Sequence, residues 1–311
     1  MKKFVFLFAV LLLMPFILVI PSRVEALEMS PIFFDLTAHP GDSFSQSINL
    51  TNDTSEVMTL NSHIGIIKTA SADGTTSQLL PKPTDENTIA DWITVTTPKV
   101  TLQPGEKKKV LYSLTVPLDA TAGGHYAWIS YTETPTLSSG SRVAVSSGIA
   151  TQILLKVQGE VKESLSLQSF QTKTGIASFE KLPITFITHI FNEGTTHQRP
   201  SGIVEIKNFG GKTIATLPFN NDSEGGNILP KSGRSYETIW DRGFAFGKYS
   251  AVLDATYDGE QHLKGSVTIW VLPKALIIIW TLLLIIITML IVKVVARMFD
   301  KTRTKPLKKK I

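Results

Sequence analysis

Histidine is the side chain that most readily ligates a metal or moves a proton near neutral pH. This chain has six: His39, His63, His125, His189, His197 and His262. Zinc sites on helices use His-x-x-x-His or His-Glu-x-x-His, and no pair here has that spacing. His189 and His197 flank an expected turn and could approach each other, but one strand histidine and one loop histidine is the simpler reading. Other chemistry is equally thin. GGKT (Gly210–Thr213) resembles the end of a phosphate loop, yet Ile206 stands where the first glycine belongs, so a hairpin turn is expected. SFEK (Ser178–Lys181) matches Ser-x-x-Lys without its companion motifs. The acids of DATYDGE (Asp254–Glu260) could gather a calcium ion, although Asp258-Gly259 reads as a hairpin turn. Sequons at Asn49, Asn52 and Asn221 mark polar loops. No nucleophile, base and orienting acid form a set. The expectation is a non-enzyme with no catalytic residue, no cofactor and no metal.

His125 lies in TVPLDATAGGHYAWI (Thr115–Ile129), which reads either as a ligand loop or as a turn entering a strand. The turn is the better account. Pro117 ends one strand and Gly123-Gly124 permits the reversal. In immunoglobulin-like sandwiches a tyrosine near the start of strand F bonds back to nearby backbone. Tyr126 and Tyr249 each follow a glycine by two positions and are expected to be such structural corners. Side chains two apart share a face, so Tyr126 and Trp128 are expected in the core, with His125, Ala127, Ile129 and Tyr131 opposite. The Asp found four before that tyrosine in immunoglobulin domains is Ala122 here.

These residues need strands to position them, and the pattern supplies strands. Short alternating runs occur at Ser43–Asn52, Glu56–Ile66, Lys108–Pro117 and Ile149–Val157. Others follow at Ile184–Asn192, Gly202–Asn208, Thr213–Phe219 and Ser266–Pro273. Val, Ile, Thr and aromatics fill them, with turn residues between. The length suits two sandwiches. The fold expected is all-β: two tandem immunoglobulin-like β-sandwiches over 27–158 and 159–273, meeting near Gly159. The halves echo each other, with Asn52, TLQPGE and GHYAW answered by Asn192, ILPKSG and GKYSA, and Leu102 matched to Leu229. The first half is longer, and the extra residues lie in the polar stretch 68–90, read as an inserted loop.

Both ends are membrane-directed. Residues 1–26 read as a signal peptide cleaved after Ala26: Lys2 and Lys3, an apolar run, then small residues. Residues 274–296 read as a transmembrane helix, apolar enough and long enough at about 1.5 Å per residue. The tail 297–311 is basic. Lys293, Arg297, Lys301, Arg303, Lys305, Lys308, Lys309 and Lys310 against Asp300 assign it to the cytoplasm. The protein is therefore expected in the cell membrane, single-pass, with its β region extracytoplasmic. The net charge of +5 is largely the tail's and argues for lipid headgroups, not nucleic acid. With no cysteine in an exported region of this size, stability must come from core burial, as in bacterial surface proteins.

The whole arrangement resembles the WxL-interacting proteins. The likeness is strongest in PIFFDLTAHPGDSFSQSINLTNDT (Pro31–Thr54) and in Trp92–Ala127, and looser beyond. It implies a first domain that binds peptidoglycan and a second that binds a host. Residues 68–90 depart from that family. The function expected is non-catalytic binding of a cell-wall polymer or another surface protein, with an accessory ectodomain of an envelope assembly or secretion complex as the alternative. The pilus-chaperone sandwich ranks third: those chaperones hold a carboxylate with a basic residue on the first strand, and Glu28–Leu36 contains none.

Overall fold

The computed structural model describes residues 26–69, 77–84, 86–133, 148–221, 226–241, 243–259 and 261–303. Apart from a 3-10 turn at Ile89–Asp91 and one helix, α1 (Lys274–Arg303), regular structure among the described residues is β. The N-terminal part forms two sheets. One has the order β1 (Leu27–Ser30), β3 (Ser43–Asn52), β8 (Lys107–Thr115), β6 (Ile93–Val95). The other has β2 (Phe33–Ala38), β10 (Gly148–Val157), β9 (Gly123–Glu133), β4 (Met58–Thr69), β5 (Ser77–Pro81), and β7 (Lys99–Leu102) also pairs with β4. The C-terminal part repeats the plan. One sheet is β11 (Leu165–Thr172), β13 (Ile184–Asn192), β16 (Gly233–Trp240). Its partner is β12 (Ser178–Phe179), β18 (Gln261–Val271), β17 (Gly247–Tyr257), β14 (Ser201–Asn208), β15 (Thr213–Phe219).

The connectivity is immunoglobulin-like in both parts. The leading segment splits between sheets: β1 runs antiparallel to β3, then β2 runs parallel to β10. Likewise β11 pairs antiparallel with β13 and β12 parallel with β18. Pro31 stands at the first split. Without an N–H it cannot extend the ladder to β3, and the chain crosses so that Ile32 O accepts from Gln152 N at 2.9 Å. Each sheet pair encloses its own apolar cluster. Ile48, Leu60, Tyr112, Ile129 and Leu155 fill the first, and Phe186, Val204, Phe219, Leu253 and Ile269 the second. Burial alternates strictly along β13 and β17, as a period of two requires.

The repeated asparagines are clamps. Asn52 is fully buried at the end of β3, and its amide donates to Glu56 O (2.7 Å), Leu102 O (3.3 Å) and Gln103 O (3.2 Å). Asn192 is fully buried at the end of β13 and donates to Thr196 O and Ile228 O, each at 2.8 Å. The backbone repeats too. Gly105 N and Lys231 N donate to the clamp carbonyls, while Asn52 N and Asn192 N donate to Glu106 O and Ser232 O. Leu102 therefore matches Ile228, one residue earlier than the sequence alignment has it. The turn residue of each copy is left-handed, Gly105 at φ 73° and Lys231 at φ 55°.

Two expectations are corrected. The stretch 68–90 is not one loop: Leu79 and Leu80 lie in β5, paired with Ile67 and Ile66, while Ile89 and Ala90 are buried. The pairing has a partner that the local pattern does not reveal, since Leu80 O accepts the Trp128 indole N–H at 3.0 Å. The faces of β9 are also reversed. Ala127, Ile129 and Tyr131 are the fully buried set, and Tyr126 and Trp128 lie on the outer face.

α1 is the described helix long and apolar enough to cross a membrane, over Lys274–Arg297 with mean hydropathy 3.1. Lys293 and Arg297 lie on it, exposed. Lys301 and Arg303 fall in its last turn, where only the backbone is described. The signal segment before Ala26, and Lys305, Lys308, Lys309 and Lys310, lie outside the described residues.

Candidate functional site

His125 and Tyr249 close the two corners. The His125 Nε2 atom sits 2.8 Å from Thr121 O, four residues upstream, with its ring 4.8 Å from that of Trp92. The Tyr249 hydroxyl donates to Phe246 O at 3.1 Å and accepts from Phe246 N at 3.0 Å, with the Trp240 ring at 5.2 Å. Histidine thus does in β9 what tyrosine does in β17. The Gly-x-Tyr match is off by one in strand register, because β9 turns 125, 127 and 129 inward while β17 turns 249, 251 and 253 inward. His125 belongs to the turn.

Tyr126 does something else. Its ring lies over Gly124, where a Cβ would come within 1.8 Å of the phenol oxygen. Its hydroxyl reaches out of the N-terminal sheets to His197 Nδ1 at 3.3 Å, with the rings edge to face at 5.6 Å. His197 Nε2 meets Asp35 Oδ1 at 2.8 Å, and the imidazole is 4% exposed. An acid on β2, a histidine between β13 and β14 and a tyrosine on β9 therefore form one line across the junction of the two sheet pairs. Burial pushes the Tyr126 pKa far above its ordinary value, and the charge of Asp35 adds to this, so the phenol stays neutral. Gly124 N donates to Thr195 O at 2.9 Å beside it. Lys156 Nζ pairs with Glu163 Oε1 at 2.5 Å across the same connection. Burial opposes ionisation of Glu163, but hydrogen bonds with Asp258 and Lys156 outweigh it and hold its pKa below the usual range. A cleft of about 320 Å³ opens here, lined by Lys68, Tyr126, Thr195 and Pro230 among others.

The arrangement orients an imidazole with a carboxylate, as hydrolases do, but its third group is a neutral phenol and the line spans two sheet pairs. Its effect is positional. Local sequence gives no sign of it, since Asp35 and Tyr126 lie 162 and 71 positions from His197.

The remaining candidates are accounted for. His189 is half-buried on β13 and bonded to Ser235 at 2.8 Å, so the structure does not bring it to His197. Asp254 is engaged by His262 at 2.9 Å and Lys264 at 3.6 Å. Asp258 and Gly259 take φ of 49° and 75°, the primed turn expected of a tight hairpin. Gly211, at φ 80°, turns the β14–β15 hairpin. Among the described residues no three His, Cys, Asp or Glu converge as metal ligands.

No protein-family model matches the chain. No curated protein matches it either. Among solved structures, the class 5 fimbrial chaperone CfaA aligns over 78% of this chain and 98% of its own, at 16% identity and a TM-score of 0.40. The YadV chaperone aligns over 78% and 99%, at 12% identity and 0.36. The E. coli chaperone DraB aligns over 79% and 100%, at 15% identity and 0.35. Likenesses this distant say nothing of ligand or partner.

Proposed function

We propose that this chain is a membrane-anchored surface protein whose two tandem sandwiches bind another surface protein or a cell-wall polymer without catalysis. The observation that carries the reading is α1. Its apolar span has none of its residues buried by the rest of the chain, while both β cores are filled without it. Lipid is the environment that such a helix needs, and the basic residues after it favour a cytoplasmic tail. The β region then stands outside, with sheet edges free to meet a partner. Membership in the WxL-interacting proteins, with cleavage after Ala26, is part of the same proposal. Open edges suit a protein partner better than a sugar chain, so the protein partner leads.

The test is co-sedimentation of the full-length chain, held in nanodiscs, with insoluble cell wall before and after stripping of proteins and secondary polymers. Binding lost on stripping supports a surface partner, and binding that survives identifies the wall polymer. Absence of binding to intact wall and to intact cells sinks the proposal. Grafting an unrelated transmembrane helix separates it from an assembly-subunit role, which would be lost with the native helix.

A further inference from the structure

We propose that the groove between β15 and β16 is a binding site for an uncharged, extended segment of another protein, which would lie along β16 as an added strand. The inference rests on the surface-binding reading and narrows it to one edge. β16 ends the sheet β11-β13-β16, and β15 ends the sheet that faces it. Among the described residues no strand lies beyond either, and no loop backbone bonds to residues 234–240 of β16. Edges of this kind carry unpaired N–H and C=O groups that template further pairing.

The space between the edges is about 350 Å³, with Leu217, Pro218, Asn220, Tyr236, Thr238 and Ile239 in its walls. Pro218 has no N–H, so β15 offers a poorer ladder and β16 is the edge on which pairing can run. Thr238 is a separate observation. It is 4% exposed, lines the groove, and its hydroxyl has no hydrogen-bond partner. A buried hydroxyl is ordinarily satisfied, and a backbone laid in the groove would bring it a partner. Charge selects the occupant. Among the described residues Glu237 is the one charged side chain in the lining, and Lys173 Nζ already meets it at 2.6 Å. The groove is thus matched to a neutral segment, with Ile239 (52% exposed) and Leu217 offering apolar contact to its alternate side chains.

The experiment selects displayed random peptides as long as β16, 8 residues, on the full-length chain in nanodiscs. Expected winners are uncharged at the centre, with β-branched or aromatic residues at alternate positions. Ile239→Lys puts a charge on the edge, and Thr238→Val keeps the shape but removes the hydroxyl. Each should weaken the selected peptides about tenfold or more, the scale of one lost interior hydrogen bond. Leu111→Lys, exposed on β8, should leave them unchanged. Thr238→Val should also raise the Tm of the unliganded chain, so its loss of binding is no folding failure. Peptides indifferent to both substitutions overturn the proposal. So does a dimer of the chain that Ile239→Lys dissolves, which would make the occupant a second copy. If no peptide is selected while Ile239→Lys keeps cell-surface binding, the groove is wrong and the broader function stands. If the unaltered chain binds no surface, the broader function fails.

Discussion

Asn192→Ala should unfold the C-terminal sheet pair at markedly lower temperature. The side chain holds three buried groups: Thr196 O and Ile228 O at 2.8 Å through its amide, and Gly194 N at 2.8 Å through its oxygen. Alanine leaves Thr196 O and Gly194 N without a partner where water does not reach, and leaves Ile228 O only the bond from Gln198 N at 3.0 Å. Each orphaned buried group costs about 1–3 kcal/mol, and the lower half of that range for two groups gives on the order of 3 kcal/mol in total. At roughly 4 °C per kcal/mol for a unit of this size, Tm should fall by about 12 °C. Asn192→Asp should be worse still, because a carboxylate keeps Gly194 N but faces two carbonyl oxygens. Asn52→Ala should cost less, about 2 kcal/mol, since several of its partners are reachable by water. Scanning calorimetry of the full-length chain checks all three. If the sandwiches are separate cooperative units, Asn52→Ala and Asn192→Ala lower different transitions. A loss below about 1 kcal/mol for Asn192→Ala, or an aspartate as stable as the native asparagine, would refute the clamp.

Further outcomes test other parts of the fold. Gly105→Ala should cost about 1 kcal/mol from backbone alone, because the added Cβ meets nothing within 4 Å; Lys231→Gly at the matching turn should stabilise, and urea midpoints read both. Gly65→Ala puts a Cβ 2.1 Å from Leu80 O and 2.5 Å from the Trp128 ring, so β5 should detach and tryptophan emission shift to the red. Asp91 has its pKa lowered by its hydrogen bond to Lys82 and by the backbone of Thr88. A depressed acid stabilises above its unfolded pKa, so this contribution is present above 3.8 and is lost as pH falls through the lower folded value. Asp91→Asn should therefore flatten the acid limb of a Tm-against-pH curve and leave its slope at neutral pH alone.

Much of the fold is legible because it is local. Short alternating runs bounded by turn residues mark Ser43–Asn52, Ile184–Asn192 and Thr213–Phe219 at their observed limits. Asn52 and Asn192 announce themselves by position before matched Pro turns. Register is harder, since a slip of one residue exchanges faces. A Gly-x-Tyr match cannot tell Tyr126, which points out, from Tyr249, which points in. β5 was hidden because its flanks are polar and its reason for pairing, the Trp128 indole, is distant in sequence. The Asp35–His197–Tyr126 line is illegible for the same cause, carried further: it exists only where the two sheet pairs meet. The β15–β16 groove likewise arises from two edges of different sheets.

The strand that enters α1 has a mechanical meaning. β18 runs through Leu272 and Pro273 straight into α1, and it is an inner strand. It pairs with β12 on one side only at Trp270 and Val271, next to α1, and along its full 11 residues with β17 on the other. Ladder bonds lie across the strand direction. A pull on the helix along the chain therefore loads them side by side, in shear, rather than opening them in turn like a zipper. In the membrane-anchored reading proposed above, tension between a bound partner and the membrane would pass through a strand bonded along its whole length to β17.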